Sequence, residues 1–200
     1  MIQSIQHDTQ INKSMNVSNC LSGSLLISQP TSNSNYFSNT VVLVCEHSPH
    51  DAWGLVLNKP TMIPINGVLE SMSLSTTSLP IQVFNGGPLE LHTVNVLHSS
   101  DCEFDNTIRI TPELSVTSSL DCLELIALGR GPTHHRIMLG FSGWGPNQLD
   151  GEMAGMPPWT PEHRWLTIPA PKDLLTRSIP GLWKQCLDES ISQDVSKFFV

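Results

Sequence analysis

The stretch HHRIMLGFSGWGPNQLDGEMAGMPPW, residues 134–159, decides how the rest of the chain is organised. Its first part, the apolar run 136–141, predicts a strand, and Gly-Trp-Gly then leads into a short segment of helical character. The glycines indicate tight turns or close approach of backbones. Gln148 and Glu152 are four residues apart, so their side chains share one face of a helix. We expect this corner to close one end of a sheet around Trp144.

The composition favours a globular protein that does not bind DNA directly. A chain of 200 residues with 39% hydrophobic and 14% charged residues is typical of one folded domain. The formal charge is −8, from 18 acidic and 10 basic side chains, and the basic residues do not cluster. Proteins that read duplex DNA normally carry a basic stripe that neutralises phosphates. Direct DNA binding is therefore not expected.

The cysteines and the N-terminus predict a cytoplasmic protein. Five scattered cysteines form no Cys-x-x-Cys pair, which favours reduced thiols. The N-terminus lacks the apolar core of a signal peptide, and no apolar run is long enough to span a bilayer, so no membrane contact is predicted. Residues 1–20 predict a flexible leader, residues 21–190 a single domain, and residues 191–200 a C-terminal tail.

The predicted elements are mostly strands. Strands are predicted at residues 23–28, 40–46, 53–57, 81–84, 94–98, 107–110, 136–141 and 165–168, and helices at 65–72, 118–128 and about 180–189. The run 40–46 is continuously apolar and β-branched, as in a strand buried on both faces. Because the strands do not alternate regularly with helices, the pattern favours an α+β fold over a doubly wound parallel sheet.

Several motifs occur in a fixed order and carry a family resemblance. They are GSLLISQP at 23–30, VVLVCEH at 41–47 after Phe37, AWGLVLNKP at 52–60, FNGGPLELHTVNVLH at 84–98, LGFSGWGPNQLDGEM at 139–153, and the 182–183 Leu-Trp pair after Trp159. Together they resemble the YqgE/AlgH family, bacterial proteins of uncharacterised function, some of which are labelled transcriptional regulators. The resemblance implies an α+β fold whose largely antiparallel, bifurcated sheet curls into a pseudo-barrel with short flanking helices.

The resemblance implies no established catalytic residue, and no cofactor is predicted. The chain also departs from the family at Asp51-Ala52-Trp53, where members more often have a Gly-Ala step before the strand. A tryptophan at this point would narrow or fill an adjacent cleft.

Two sets of residues suggest chemistry, each with a structural alternative. Cys45-Glu46-His47, with His98 and Glu152, would make a Cys/His/Glu hydrolase, but a buried strand cysteine explains the same pattern. Pairs of histidines at 47 and 50 and at 134 and 135 would supply metal ligands. No cysteine or carboxylate completes a known spacing, so surface histidines are favoured and no metal site is predicted.

The candidate binding residues share positions at strand ends and turns. Gly86-Gly87 would present backbone N–H groups to an anion, although a plain turn is favoured. Asn58 would bind a ligand or cap its own turn. The full candidate set is Asn58, Gly86, Gly87, His98, Trp144, Gln148 and Glu152.

Two functions remain open. The preferred one is a non-catalytic binding or regulatory protein that acts through a protein or small-ligand partner at the Trp144 corner. The alternative is an enzyme for a small substrate, with His98, His47 and Glu152 as acid–base groups, which requires that these side chains converge in one pocket. In the corner itself we expect Gln148 and Glu152 to hydrogen-bond turn backbone. A Glu152→Gln change should then be mild, because an amide keeps an acceptor.

Overall fold

The structure is a computed structural model that describes residues 20–30, 35–158 and 164–197. The predicted leader, apart from Cys20, and the tryptophan at 159 lie outside these residues. The strands are β1 (Ser24–Ser28), β2 (Val41–His47), β3 (Ala52–Val56), β4 (Val83–Asn85), β5 (Leu89–Ser99), β6 (Ile108–Arg109), β7 (Leu114–Thr117), β8 (His135–Trp144) and β9 (Trp165–Pro169). The helices are α1 (Ile65–Ser71), α2 (Leu120–Ala127), α3 (Gln148–Ala154) and α4 (Leu182–Lys197).

The strands form one sheet that curls into a half-barrel. Eight of them follow the order β6-β7-β5-β8-β3-β2-β1-β9, and β4 joins β8 beside this path. Every pairing between these strands is antiparallel except that of β4 with β8. The predicted α+β class and largely antiparallel sheet are therefore confirmed.

Alternation along the strands divides the core into three clusters. In β2, Val41, Leu43 and Cys45 point into the main cluster, which α4 covers. Val42 and Val44 point to the opposite face, where they pack with Trp144 and residues of α3. A further cluster lies under α1 and α2 against β5 and β8. The prediction that this run is buried on both faces is confirmed, because both sides of β2 are covered.

Strand β8 is where the sheet bifurcates. Residues 135–139 and Phe141 pair with β5 on one edge, and residues 137–139 pair with β4 on the other. Residues 142–144 then pair with β3 instead of β4. The division falls at Gly140, whose φ of +69° is a conformation that side chains with a Cβ rarely adopt. One strand thus belongs to two branches of the sheet, as the family resemblance implied.

The backbone after β4 forms a wedge between the two branches. The Gly86 N–H donates to the Leu139 carbonyl at 2.7 Å, and the Gly86 carbonyl accepts from the Val56 N–H at 2.8 Å. The next residue, Gly87, lies so close to β8 that a Cβ there would overlap backbone atoms of Phe141 and its neighbour. The wedge therefore requires a residue without a side chain.

Several predicted boundaries were wrong. The strand predicted to end at 141 continues to Trp144, so Gly143 lies within a strand and not in a turn. Strand β5 begins at Leu89 and not at 94, and α4 runs to residue 197 and not to about 189. Strand β7 was not predicted at all. In each case polar or glycine residues interrupt the apolar pattern while backbone pairing or helical bonding continues.

Replacing Gly87 with alanine tests the wedge. The added Cβ would push against β8 backbone, so we expect the free energy of unfolding to fall by about 3 kcal/mol, at the upper end of overpacking costs. The matched control is Gly67→Ala in α1, where the nearest atom to a new Cβ is 3.7 Å away. Alanine should stabilise that helix by up to about 1 kcal/mol. Urea denaturation of both variants measures the difference, and equal midpoints would contradict the wedge.

Candidate functional site

The Glu152 carboxylate joins two tryptophans at the end of the sheet. Its Oε2 accepts the indole N–H of Trp144 at 3.0 Å and that of Trp165 at 2.8 Å. Its Oε1 accepts the side-chain amide N–H of Gln148 at 3.0 Å. The Gln148 oxygen in turn accepts the backbone N–H of Gly145 at 3.1 Å. Two carboxylate oxygens therefore satisfy three donors from β8, β9 and α3.

Local sequence explains how these donors meet. Trp144 ends β8 and Trp165 begins β9, and both are 6% exposed. Helix α3 starts one turn after β8, and its four-residue spacing puts Gln148 and Glu152 on the face toward the strands. Phe37 packs edge-to-face against Trp165, with ring centroids 5.6 Å apart. The corner is an aromatic cluster that is closed by one carboxylate.

Two cavities flank β8 beside this corner. The larger, which we name the β8 groove, has a volume of about 570 Å³. Its apolar walls are Trp53, Leu89, Phe141 and Trp144, and its polar lining includes Asp51, Thr93 and Asn95. The smaller cavity, of about 230 Å³, lies against Phe37, Trp165 and Glu152. Leu89, Gly143 and Trp144 line both cavities, so the two adjoin.

Trp53 shapes the β8 groove. The ring stands edge-to-face with Phe141, with centroids 6.2 Å apart, and its indole N–H donates to the Glu46 carboxylate at 2.8 Å. Trp53 thus forms a wall of the groove without filling it. Its neighbour Gly143 has no side chain, and a Cβ there would meet a Leu89 methyl at 2.9 Å. Because Gly143 has no side chain, the bottom of the groove stays open.

The other candidate binding residues are occupied by backbone. Asn58 accepts the Val41 N–H at 3.0 Å and donates to the Asn39 carbonyl at 2.8 Å. The Gly86 N–H is bonded within the wedge, and the Gly87 N–H donates to the Asn85 side chain at 3.0 Å. These N–H groups are already used by protein acceptors, so the geometry does not form an anion site. A ligand role for Asn58, Gly86 and Gly87 stays a prediction.

The proposed acid–base set does not converge. His98 is fully buried and pairs with His135 at the start of β8, whereas Trp144 and Glu152 lie at its end. Nine residues of strand separate the two ends, roughly 30 Å. His47 accepts the Leu21 N–H and lies 3.5 Å from Asp150, and no hydrogen bond joins it to the other two. The alternative of an enzyme built on these three residues loses its geometric basis.

His98 is a buried residue of the sheet. Its Nδ1 lies 2.8 Å from the Ser99 carbonyl, its Nε2 has no partner among the described residues, and its ring packs against Phe104. Burial lowers the pKa of His98, so the ring is neutral near pH 7. We therefore place His98 in the core, and a binding role for it stays a prediction.

Cys45 is an inert core residue. It is 2% exposed, and burial raises the pKa of its thiol well above the ordinary value, followed by a smaller effect of Glu46. A thiol in such a place is a poor nucleophile. Neither Glu46, which binds Trp53, nor His47 activates it through a hydrogen bond. The structure does not support the Cys/His/Glu hydrolase set.

The cysteines and histidines form no metal site in the described parts of the chain. All five cysteines are free thiols, as the sequence predicted. No three His, Cys, Asp or Glu residues there are grouped so as to hold a metal ion. The two histidine pairs lie apart, with His47 next to α3 and His135 at the far end of β8.

Several residues of this site were not predicted from the sequence. Trp165 binds the same carboxylate as Trp144, although thirteen residues separate it from Glu152. Asn95 and Leu89 line the groove, but β5 was predicted to begin beyond Leu89. The one available signal was that Trp165 opens an apolar run after a proline-rich segment. Contacts between distant strands leave no local pattern.

The chain is similar to proteins of known family. A family model described as DUF179, AlgH-like, matches residues 25–193. A UPF0301 protein of Cereibacter sphaeroides is 38% identical over 168 residues, 82% of this chain and 88% of that protein. A UPF0301 protein of Shewanella sp. strain ANA-3 is 37% identical over 161 residues, 78% and 82% of the two chains.

Solved structures share the fold. The solution structure of the AlgH protein from Pseudomonas aeruginosa has a TM-score of 0.69 and 30% identity, and covers 92% of each chain. The crystal structure of a protein from Corynebacterium diphtheriae has a TM-score of 0.60 at 23% identity, covering 77% and 78% of the chains, which shows likeness of fold alone. Within the described ranges, no helix has the length and apolar character needed to cross a membrane.

The carboxylate makes Glu152→Gln a costly change, which corrects the milder effect expected from sequence. All three groups around Glu152 are donors, so the new amide NH₂ would face a donor, either the Gln148 amide or an indole. One buried hydrogen bond is lost and a donor stays unpaired, for which we expect about 1–3 kcal/mol. Chemical denaturation measures the loss. The control is Glu124→Gln at an exposed site on α2, which should stay within about 0.5 kcal/mol. Equal stabilities of the two variants would refute the account.

Proposed function

The chain belongs to the AlgH-like family, and from that premise we propose that it is a non-catalytic protein that binds a small molecule in the β8 groove. No specific function is established for this family. The observation that carries the proposal is a concave, aromatic-walled groove of about 570 Å³, with its neighbouring wall fixed by the Glu152 carboxylate. Small-molecule sites typically have volumes of this order, mostly apolar linings and a few polar groups.

The groove suits binding better than catalysis. Its lining contains no histidine, cysteine, lysine or arginine, and its one carboxylate is that of Asp51. The Asp51 side chain already accepts the Ser48 hydroxyl at 2.7 Å within the β2–β3 turn. No nucleophile and base stand together in this lining, which a covalent or acid–base mechanism would need. Binding and release of a ligand do not need such groups, and the apolar walls and polar lining of the groove are sufficient for them.

A regulatory role would act through the ligand and not through DNA. The formal charge of −8 opposes contact with phosphates, and a bound molecule at the junction of β3, β5 and β8 would touch both branches of the sheet. We place this protein in the cytoplasm, in keeping with five free thiols. A change in ligand occupancy would then reach a protein partner as a change at the surface of these branches.

Native co-purification tests the proposal. The protein is isolated from cells, denatured, and its released small molecules are identified by mass spectrometry. The variant Leu89→Trp should prevent ligand binding, because the larger side chain would occupy the groove. Leu89 lines both cavities and is 44% exposed. The control Leu128→Trp changes a leucine that is 57% exposed at the end of α2.

We expect one small molecule to accompany the wild type and the Leu128→Trp control, and at least tenfold less of it to accompany Leu89→Trp. A wild type that retains no small molecule, or equal amounts with all three proteins, would overturn the proposal. Nucleic acid that is retained at physiological ionic strength and lost at high salt would point instead to direct DNA binding.

A further inference from the structure

We infer that the ligand of the β8 groove is a small organic cation: an ammonium or guanidinium group on an apolar body. This inference rests on the proposed function and names the ligand class of that same site. Two independent features of the groove support it, the aromatic walls and the sign of the surrounding charge, and the side-chain amide of Asn95 adds a polar contact.

The walls present aromatic rings to the groove. Trp53 and Phe141 stand nearly perpendicular, at 82°, so the pair offers one ring face and one ring edge in different directions. Trp144 adds a third ring. The negative face of an aromatic ring attracts a cation, most strongly for tryptophan, and the attraction grows when the site excludes water. Cages of this composition recognise alkylated ammonium groups.

The charge around the groove is negative. Asp51 lines it, Glu46 is bonded to the Trp53 ring, and Glu90 accepts the hydroxyl of Thr93, which also lines it. Within the described residues, none of these three carboxylates takes part in an ion pair. Glu152 adds a fourth carboxylate in the adjoining cavity. Neither lining contains a lysine or arginine, so an anionic ligand would be repelled and a cation attracted.

Asn95 gives the groove a side-chain amide that can contact a donor-bearing ligand. Its side chain lines the groove and is only 9% exposed. The amide N–H makes one long contact of 3.5 Å with the Gly140 carbonyl. The carbonyl oxygen of the same amide is a hydrogen-bond acceptor. An ammonium or guanidinium group carries N–H donors that this oxygen would accept.

Three probes of one size and different charge test the inference: benzylammonium, benzyl alcohol and benzoate. Each is titrated into the full chain, and binding is followed by NMR through the indole N–H signals of Trp53 and Trp144. We expect benzylammonium to bind roughly tenfold more tightly than the alcohol, as cation–π attraction and the carboxylates together allow. Benzoate should bind more weakly than either.

A charge-removing variant separates electrostatics from shape. Asp51→Asn keeps an oxygen acceptor for Ser48 while it removes the negative charge. It should weaken benzylammonium binding several-fold and leave benzyl alcohol unchanged, which also shows that the groove is intact. The control Asp188→Asn removes the same charge from an exposed position on α4 and should change neither.

The possible outcomes test the ligand class separately from the proposed binding function. Alcohol or benzoate bound as tightly as the cation would overturn the cation assignment, and so would the absence of any shift at the two indoles. A small neutral or anionic molecule found by native co-purification, and lost in Leu89→Trp, would leave the groove as the binding site and reject only its ligand class. Failure of the Leu89→Trp test would remove the proposed function itself.

Discussion

The fold depends on one constraint: two different strands, β4 and β3, must share one edge of β8. Strand β4 takes the first part of that edge and β3 takes the second. The exchange requires a change of backbone direction at Gly140 and a segment thin enough to enter the gap, which Gly87 supplies. A sheet that divides in this way cannot stay flat. It opens between its branches, and the β8 groove lies next to that opening.

The same division explains why the corner needs a carboxylate. After leaving β4, strand β8 ends with Trp144 beside β3, and the indole N–H is covered by α3 and β9. A buried indole N–H requires an acceptor, and here two indoles require one at almost the same place. One carboxylate oxygen of Glu152 accepts both indole N–H groups. A rigid corner follows, and a rigid wall is what a preformed ligand site needs.

The sequence predicted the buried strands and the fold class better than the way in which the strands pair. The apolar run that contains Leu43 identified β2 because its residues are buried on both faces, and the α+β class followed from the strand count. The bifurcation came only from the family resemblance, since no property of Gly86 and Gly87 distinguishes a wedge from a turn. The exposed start of β5 at Leu89 was not predicted, because its pairing with β8 is interrupted by a bulge. The sequence singled out Glu152 together with Trp144 and Gln148, but the second tryptophan partner of Glu152 is set by strand order and not by spacing.

Hydrogen exchange of two backbone amides tests the shared-edge account most directly. The Gly86 N–H donates to Leu139 and the Val56 N–H donates to Gly86, so both bonds exist only if the wedge holds the two branches together. The account predicts that both amides exchange only through global unfolding, as slowly as the Leu43 amide at the centre of β2. Exchange at the rate of the exposed β2–β3 turn, with Leu43 still protected, would contradict it.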